Sequence, residues 1–292
     1  MRRFQAVAAL AVLVAAGLTS AFGQQLPQAK PEDVGMSGKH LALLDGLISN
    51  ALARKDFPGA VLLVARKGKV VYRKAFGFSQ LVPESRPLSV DMIFDLASVT
   101  KPVATATAIM ILVERGEIRL WDRVREYVPE FSTWYGEKGL AGEEARLWHL
   151  LTHTSGLPPY TDAKEAAKKL GDPCTTADLV GLIAKIPKES PVGTSFVYSC
   201  LNYITLAHIV HKVSGKTVAE FCEETIFEPL GMKRTFYLPP ADALDLCVPT
   251  EVIEGKPLRG VVHDPLARLQ GGVSGNAGLF ATADDLAVFA QM

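Results

Sequence analysis

The order in which hydrophobic patterns change along this chain constrains its fold more than any single segment does. Two β-rich runs, Ala60 to Ala65 and Val70 to Ala75, flank a Lys67-Gly68 turn and predict a hairpin. A Pro- and Ser-containing loop, Pro83 to Ser89, leads to the strand-like Met92 to Leu96, and Pro102 to Glu114 then reads as a strongly apolar helix stopped at Gly116. Helical apolar faces follow around Trp148 to Leu151, Thr176 to Ile186, Tyr203 to Val213 and Val218 to Ile226, punctuated by Pro158, Pro159, Pro173, Pro187 and Pro229. Short β-rich runs return at Cys247 to Ile253 and Pro257 to Val262. At the two ends, Ser37 reads as the N-cap of a helix carrying Leu41, Leu44 and Ile48, and Thr282 as the N-cap of a helix from Asp284 to Met292. Strands first, helices in the middle and strands again predict an α/β (α+β) architecture. Its antiparallel sheet is flanked by helices and accompanied by a helical lobe, without regular βαβ winding.

Residues 1–23 read as an export signal. Arg2 and Arg3 give a positive start, Ala6 to Leu18 a short apolar core, and Ala21-Phe22-Gly23 a small-residue site with cleavage expected after Gly23. The apolar run falls short of the roughly 20 residues a membrane span needs, and no later stretch is expected to span a bilayer. Residues 24–34 then form a linker and residues 35–292 one domain, placing the mature protein in the periplasm or outside the cell. The 31 basic and 31 acidic residues cancel, which leaves no cationic surplus for nucleic acid. Cys174, Cys200, Cys222 and Cys247 have no C-x-x-C spacing, so a thiolate metal site is not expected. After export they could form disulfides in three pairings or stay as buried free thiols.

The chemistry concentrates at Phe94-Asp95-Leu96-Ala97-Ser98-Val99-Thr100-Lys101-Pro102, where a strand gives way to a helix with proline in its first turn. Positions three apart on a helix share a face, so Ser98 and Lys101 can touch. A serine needs a neighbour to take its proton before it can attack a carbonyl, and a desolvated lysine can be that neighbour. By itself S-x-x-K is common by chance, and an N-cap serine beside a solvated lysine is the plainer reading. A second element, Ser195-Phe196-Val197-Tyr198-Ser199-Cys200, lies about a hundred residues on, just before a helix.

With these stand Leu150-Leu151-Thr152-His153-Thr154-Ser155-Gly156-Leu157-Pro158, Phe227-Glu228-Pro229-Leu230-Gly231-Met232 and Gly275-Asn276-Ala277-Gly278-Leu279-Phe280. Over most of the chain the sequence resembles the serine β-lactamase-related hydrolases: the class C β-lactamase, family VIII esterase and penicillin-binding protein-like branch. The resemblance implies a β-lactamase/transpeptidase-like fold, with Ser98 as nucleophile, Lys101 as its proton acceptor and Tyr198 as a proton relay to the leaving group. Cys200 occupies the usual Asn or Asp position of the second motif, at the substrate-binding site, where a thiol is only a weak donor. The third motif, [Lys/His]-[Thr/Ser]-Gly, is expected beyond Met292, so the final strands are expected to be missing and the chain to be cut short there.

His149 with His153, and His208 with His211, have spacings that could present imidazoles to a metal, but a zinc hydrolase would want a third ligand and a general base such as the H-E-x-x-H glutamate, which is absent from the sequence. A structural hydrogen-bonding role is expected for His153, and Asn202 is too displaced to stand in for the missing amide. Ser155 lacks a nucleophile-elbow frame. Asp122 is expected to cap the next helical segment, and Trp134, Tyr135, Tyr160 and Phe196 to pack in the core or line a pocket. The combined expectation is an exported serine hydrolase forming an acyl-enzyme on an ester, a β-lactam or a D-Ala-D-Ala-type amide. It needs no cofactor or metal and no nucleic-acid partner, and its substrate is a small molecule or peptidoglycan-like. The alternative is a non-catalytic relative that keeps the fold and binds peptidoglycan-type ligands.

Overall fold

The computed structural model describes residues 25–131 and 144–292, so the expected signal and the pair Trp134 and Tyr135 lie outside the described residues. Ser37 starts the first helical pair, α1 (Gly38–Leu41) and α2 (Leu43–Ala53), its Oγ accepting the His40 N–H at 3.3 Å. The predicted hairpin is β1 (Gly59–Arg66) and β2 (Lys69–Gln80), antiparallel in register from Gly59 opposite Gly77 to Arg66 opposite Lys69, with a bulge at Val64/Ala65. Lys67 and Gly68 both take positive φ, 53° and 68°, as the tight turn that follows right-handed strand twist requires. The loop expected at Pro83 to Ser89 contains a strand, β3 (Arg86–Pro87), on the edge of β2, where a proline removes no ladder bond that the sheet needs.

The run expected as a strand at Met92 to Leu96 shortens to β4 (Phe94–Asp95). A 3₁₀ turn (Ala97–Val99) follows, then a π-helical stretch (Lys101–Ala106) that continues into α3 (Thr107–Glu114). Widened first turns of this kind recur at functional sites. Contrary to expectation, Ala97–Glu114 is long and apolar enough by length and composition to cross a membrane. Ala104, Ala108, Ile109 and Leu112 within it are wholly buried against the helical lobe, as in the core helix of a globular domain.

That lobe comprises α4 (Val124–Tyr127), α5 (Leu147–Leu151), α6 (Ala163–Leu170), α7 (Thr176–Ile183), α8 (Cys200–Ser214), α9 (Val218–Cys222) and α10 (Glu228–Leu230). Every residue of α8 from Leu201 to Val210 is buried, so this helix forms the lobe's axis and is covered on all sides. Asp122 does not cap α4; its Oδ2 accepts the Arg119 N–H and the Tyr127 hydroxyl, each at 2.7 Å. The late β-rich runs reduce to β5 (Val252–Ile253) and β6 (Lys256–Pro257), which pair only with each other.

After α11 (Pro265–Leu269) the chain returns to the start of the fold. β7 (Phe280–Ala281) pairs antiparallel with β4, and α12 (Ala283–Gln291), capped by Thr282, packs on β1. Arg73 on β2 closes this joint, its Nε lying 2.8 Å from Asp284 Oδ1 and its Nη2 2.8 Å from Asp91 Oδ1. All four cysteines are free thiols; Cys174, Cys222 and Cys247 are buried and Cys200 is partly exposed.

Candidate active site

Ser98 lies on the exposed side of the 3₁₀ turn, and Lys101, one turn on, is only 2% exposed. The turn is held by Asp95, whose Oδ1 accepts the Ala97 N–H at 2.9 Å while its Oδ2 accepts the His263 N–H at 2.7 Å. Ala97 sits at φ 45°, a conformation disfavoured for any residue with a Cβ, so the residue before Ser98 carries backbone strain.

Lys101 Nζ lies 3.0 Å from Ser98 Oγ, 3.0 Å from the Asn276 carbonyl and 3.6 Å from Cys200 Sγ. No carboxylate among the described residues pairs with it. The segment 275–281 that supplies the Asn276 carbonyl is tied to the Ser98 segment along its length. Leu96 N–H donates to the Leu279 carbonyl at 2.8 Å, Leu279 N–H to Thr100 Oγ1 at 3.1 Å, and Thr105 Oγ1 to the Gly275 carbonyl at 2.8 Å. Gly275 is required by close approach: a Cβ there would meet the Tyr203 carbonyl on α8 at 2.0 Å.

Tyr198 closes the other side. The residue is 45% exposed, and Lys101 Nζ lies over its ring, 4.9 Å from the centroid. Among the described residues the Tyr198 hydroxyl makes no hydrogen bond to Ser98 or Lys101. Beneath it the His153 ring lies 4.5 Å away, with Tyr203 5.2 Å beyond, its hydroxyl donating to the Leu151 carbonyl at 3.1 Å. Burial foremost, and next the charge of Lys101, push His153 below its ordinary pKa. Burial likewise raises the Tyr203 phenol.

The structure thus brings Ser98, Lys101, Tyr198 and Cys200 together. Asn202 is wholly buried and engaged with Ser155 Oγ at 2.6 Å and His153 Nδ1 at 3.3 Å, so it does not replace the missing amide. The Nδ1 of His149 accepts the Arg146 N–H at 3.0 Å, and the Nδ1 of His153 the Ser199 N–H at 3.1 Å, which withdraws these lone pairs from any metal. No cluster of three or more metal-ligating side chains occurs among the described residues. Tyr160 accepts the Leu266 N–H at 3.1 Å, and Phe196, 71% exposed, lies edge-on to His153 rather than in the core. Sequence reasoning missed Asn276, because a backbone carbonyl carries no side-chain signal. It also missed the hold that Asp95 has on the turn, which an acidic residue two positions before Ala97 could have announced.

A strand-to-helix serine with a buried lysine one turn away, on this fold, defines a serine-hydrolase class of protein. The chain belongs to the Beta-lactamase family, whose model matches residues 44–292. It is 32% identical over 287 residues to the N-acetylmuramyl-L-alanine amidase of Bacillus subtilis, covering 89% of this chain and 64% of that protein. A putative D-alanyl-D-alanine carboxypeptidase of Salmonella agona is 31% identical over 303 residues, covering 94% of this chain and 69% of that protein. The solved structure of EstCE1, a hydrolase with promiscuous acyltransferase activity, shares the fold with a TM-score of 0.69 at 24% identity, covering 84% of this chain and 70% of that one. The chain therefore spans somewhat less than two thirds of the Bacillus relative's length.

Proposed function

We propose that the chain carries the site of a serine hydrolase that works through an acyl-enzyme on an ester, a β-lactam or a D-alanyl-D-alanine-type amide. The observation that carries this reading is the 3.0 Å contact between an exposed Ser98 Oγ and a buried Lys101 Nζ with no carboxylate partner. In this scheme the Lys101 amine takes the Ser98 proton as Oγ attacks the substrate carbonyl. Tyr198, over the same amine, passes its proton to the departing group and is reprotonated from Lys101; a water then gives a proton to this pair as it attacks the Ser98 ester, and the pair returns a proton to the leaving Ser98 Oγ. The similarity to the amidase and carboxypeptidase relatives favours a peptidoglycan-type substrate. Cys200 pulls towards an ester, because a thiol offers a substrate neither the donor nor the acceptor of an amide. Export is part of the proposal and rests on the Arg2-Arg3 start and the Ala6 to Leu18 apolar run.

A fluorophosphonate or a fluorescent penicillin should label the folded protein, and Ser98→Ala should abolish the label. Absence of labelling on folded protein would overturn the reading and favour the alternative that Cys200 supports, a relative that binds peptidoglycan-type ligands without turning them over.

A further inference from the structure

His153 grips the chain on both sides of Tyr198. Its carbonyl accepts the Val197 N–H at 2.9 Å, and its Nδ1 accepts the Ser199 N–H at 3.1 Å. The residues immediately before and after the tyrosine are thus anchored to one side chain and its own backbone. The two rings lie 4.5 Å apart at an interplanar angle of 39°, so the aromatic ring is braced as well as its backbone. His153 achieves this at φ 59°, a left-handed conformation that a residue with a Cβ adopts against its preference. Strain of this kind persists where the surrounding bonds over-determine the conformation, and here those bonds converge on Tyr198.

The proton on the imidazole is located by the surrounding network. Ser155 Oγ accepts the Leu157 N–H at 3.2 Å, so its own proton goes to Asn202 Oδ1 at 2.6 Å. That turns Asn202 Nδ2 towards His153 Nδ1, 3.3 Å away. Nδ1 faces two N–H donors and must present its lone pair, which leaves the ring proton on Nε2. Protonating Nδ1 would replace both attractions with a donor facing two donors. The neighbouring strands of chain add to the hold, since Ser199 Oγ donates to the Pro158 carbonyl at 2.6 Å and Cys200 N–H to the Pro159 carbonyl at 2.9 Å.

We propose that His153, as the neutral Nε2–H tautomer, is the positioning residue that holds Tyr198 over Lys101 for proton delivery to the leaving group. The inference rests on the reading of Tyr198 as proton relay and deepens it by naming what sets its geometry. His153 does not touch the reacting atoms; it acts through Tyr198. Displacing a proton donor by a fraction of an ångström to about 1 Å is enough to slow the step it serves on the order of a hundredfold.

The test separates positioning from mere structural support by the leaving group. A p-nitrophenyl ester departs without needing a proton, whereas an ethyl ester of the same acid needs one. His153→Phe, which keeps the ring and removes the acceptor, should slow acylation by the ethyl ester on the order of 10–100-fold and that by the p-nitrophenyl ester less than about threefold. Tyr198→Phe should show the same split, and the double variant should be no slower than Tyr198→Phe alone. His153→Asn, which tolerates the left-handed backbone and offers an acceptor oxygen, should recover part of the loss. Equal losses with both esters, or losses that multiply in the double variant, would overturn the inference. Failure of Ser98 to label in the unaltered protein would instead sink the hydrolase reading. Amide exchange at Ser199, whose N–H is held by the imidazole, would then judge the grip itself: unchanged protection there in His153→Phe removes it.

Discussion

Lys101 Nζ and the Asn276 carbonyl stand 3.0 Å apart across 175 positions of sequence. A carbonyl can only accept, so this bond holds the amine in place whether or not it has taken the Ser98 proton. Lys101→Arg keeps the charge and the donors but cannot give up a proton. It should lower the rate of fluorophosphonate labelling by about a thousandfold or more, as should Lys101→Ala. Near-normal labelling of the arginine variant would mean that Lys101 acts as a fixed charge and some other group as the base.

Cys200 is the one cysteine with appreciable exposure, and its sulfur is 3.6 Å from Lys101 Nζ. Titrating the native protein with a thiol reagent should therefore reveal a single fast thiol, removed by Cys200→Ser. Attaching even a methylthio group there should suppress Ser98 labelling. Cys200→Ala, which only deletes a weak acceptor, should slow labelling less than about tenfold. Fast modification of Cys174, Cys222 or Cys247 would contradict the burial of those side chains.

The depressed pKa of His153 gives the fold a pH dependence with a definite sign. Below the ordinary imidazole value of 6.5, the unfolded chain takes up a proton that the folded chain resists. Stability should therefore fall as pH drops from about 6.5 towards the lower folded value, and stay flat above it. Buried His208, also depressed chiefly by its burial, acts in the same direction. Thermal midpoints measured from about pH 7.5 down to about pH 5.5 should decline, and His153→Phe should flatten only part of that slope. A slope unchanged by the substitution would assign the titration elsewhere.

Gly275→Ala is expected to be costly out of proportion to one methyl group. Its Cβ would sit 2.0 Å from the Tyr203 carbonyl and 2.7 Å from the Ala207 Cβ, so either α8 or the 275–281 segment must move. A loss of about 3 kcal/mol is expected in denaturant unfolding, together with a drop in Ser98 labelling as the Asn276 carbonyl is displaced.

Arg73→Ala should expose the dependence of the sheet on α12. It strands Asp284, whose side chain is 9% exposed, without its guanidinium partner. Breaking a pair this buried from one side costs about 3 kcal/mol, and Asp284→Asn in the same background should return part of it. Equal stability of the parent and the arginine variant would show that water replaces the guanidinium freely.

How much of this was legible in the sequence depends on the range of each contact. Ser98 and Lys101 are three residues apart, and helix geometry alone brings them together. The hairpin announced itself through the turn chemistry of Lys67-Gly68, whereas Tyr198 stands out only through the family resemblance. The late strands come out shorter than expected because residues 247–253 have strand-forming side chains but find only a single bridge, Cys247 to Ile93, and the two-residue partner Lys256–Pro257 to pair with. Helix α6 was overlooked because its exposed face is rich in Lys and Glu. Its capping signal is nonetheless present: the Asp162 side chain accepts the Glu165 N–H at 2.9 Å. The π-helical widening after Ser98 is invisible to periodicity, since the apolar pattern fits either helix. The partnership of His153 with Tyr198 depends on a long-range fold and on a positive φ, and neither is written in residue type.

The distance between Lys101 and Asn276 along the chain also sets the order in which the site can come into being. During synthesis a ribosome that has delivered everything through α8 has already released Ser98, Lys101, Tyr198 and Cys200, yet not the carbonyl that fixes the amine. Contacts spanning so much sequence are slow to close, because the intervening loop must be ordered first. The nascent polypeptide therefore carries its nucleophile long before it carries the geometry that could arm it, and the site waits for the segment that brings Asn276.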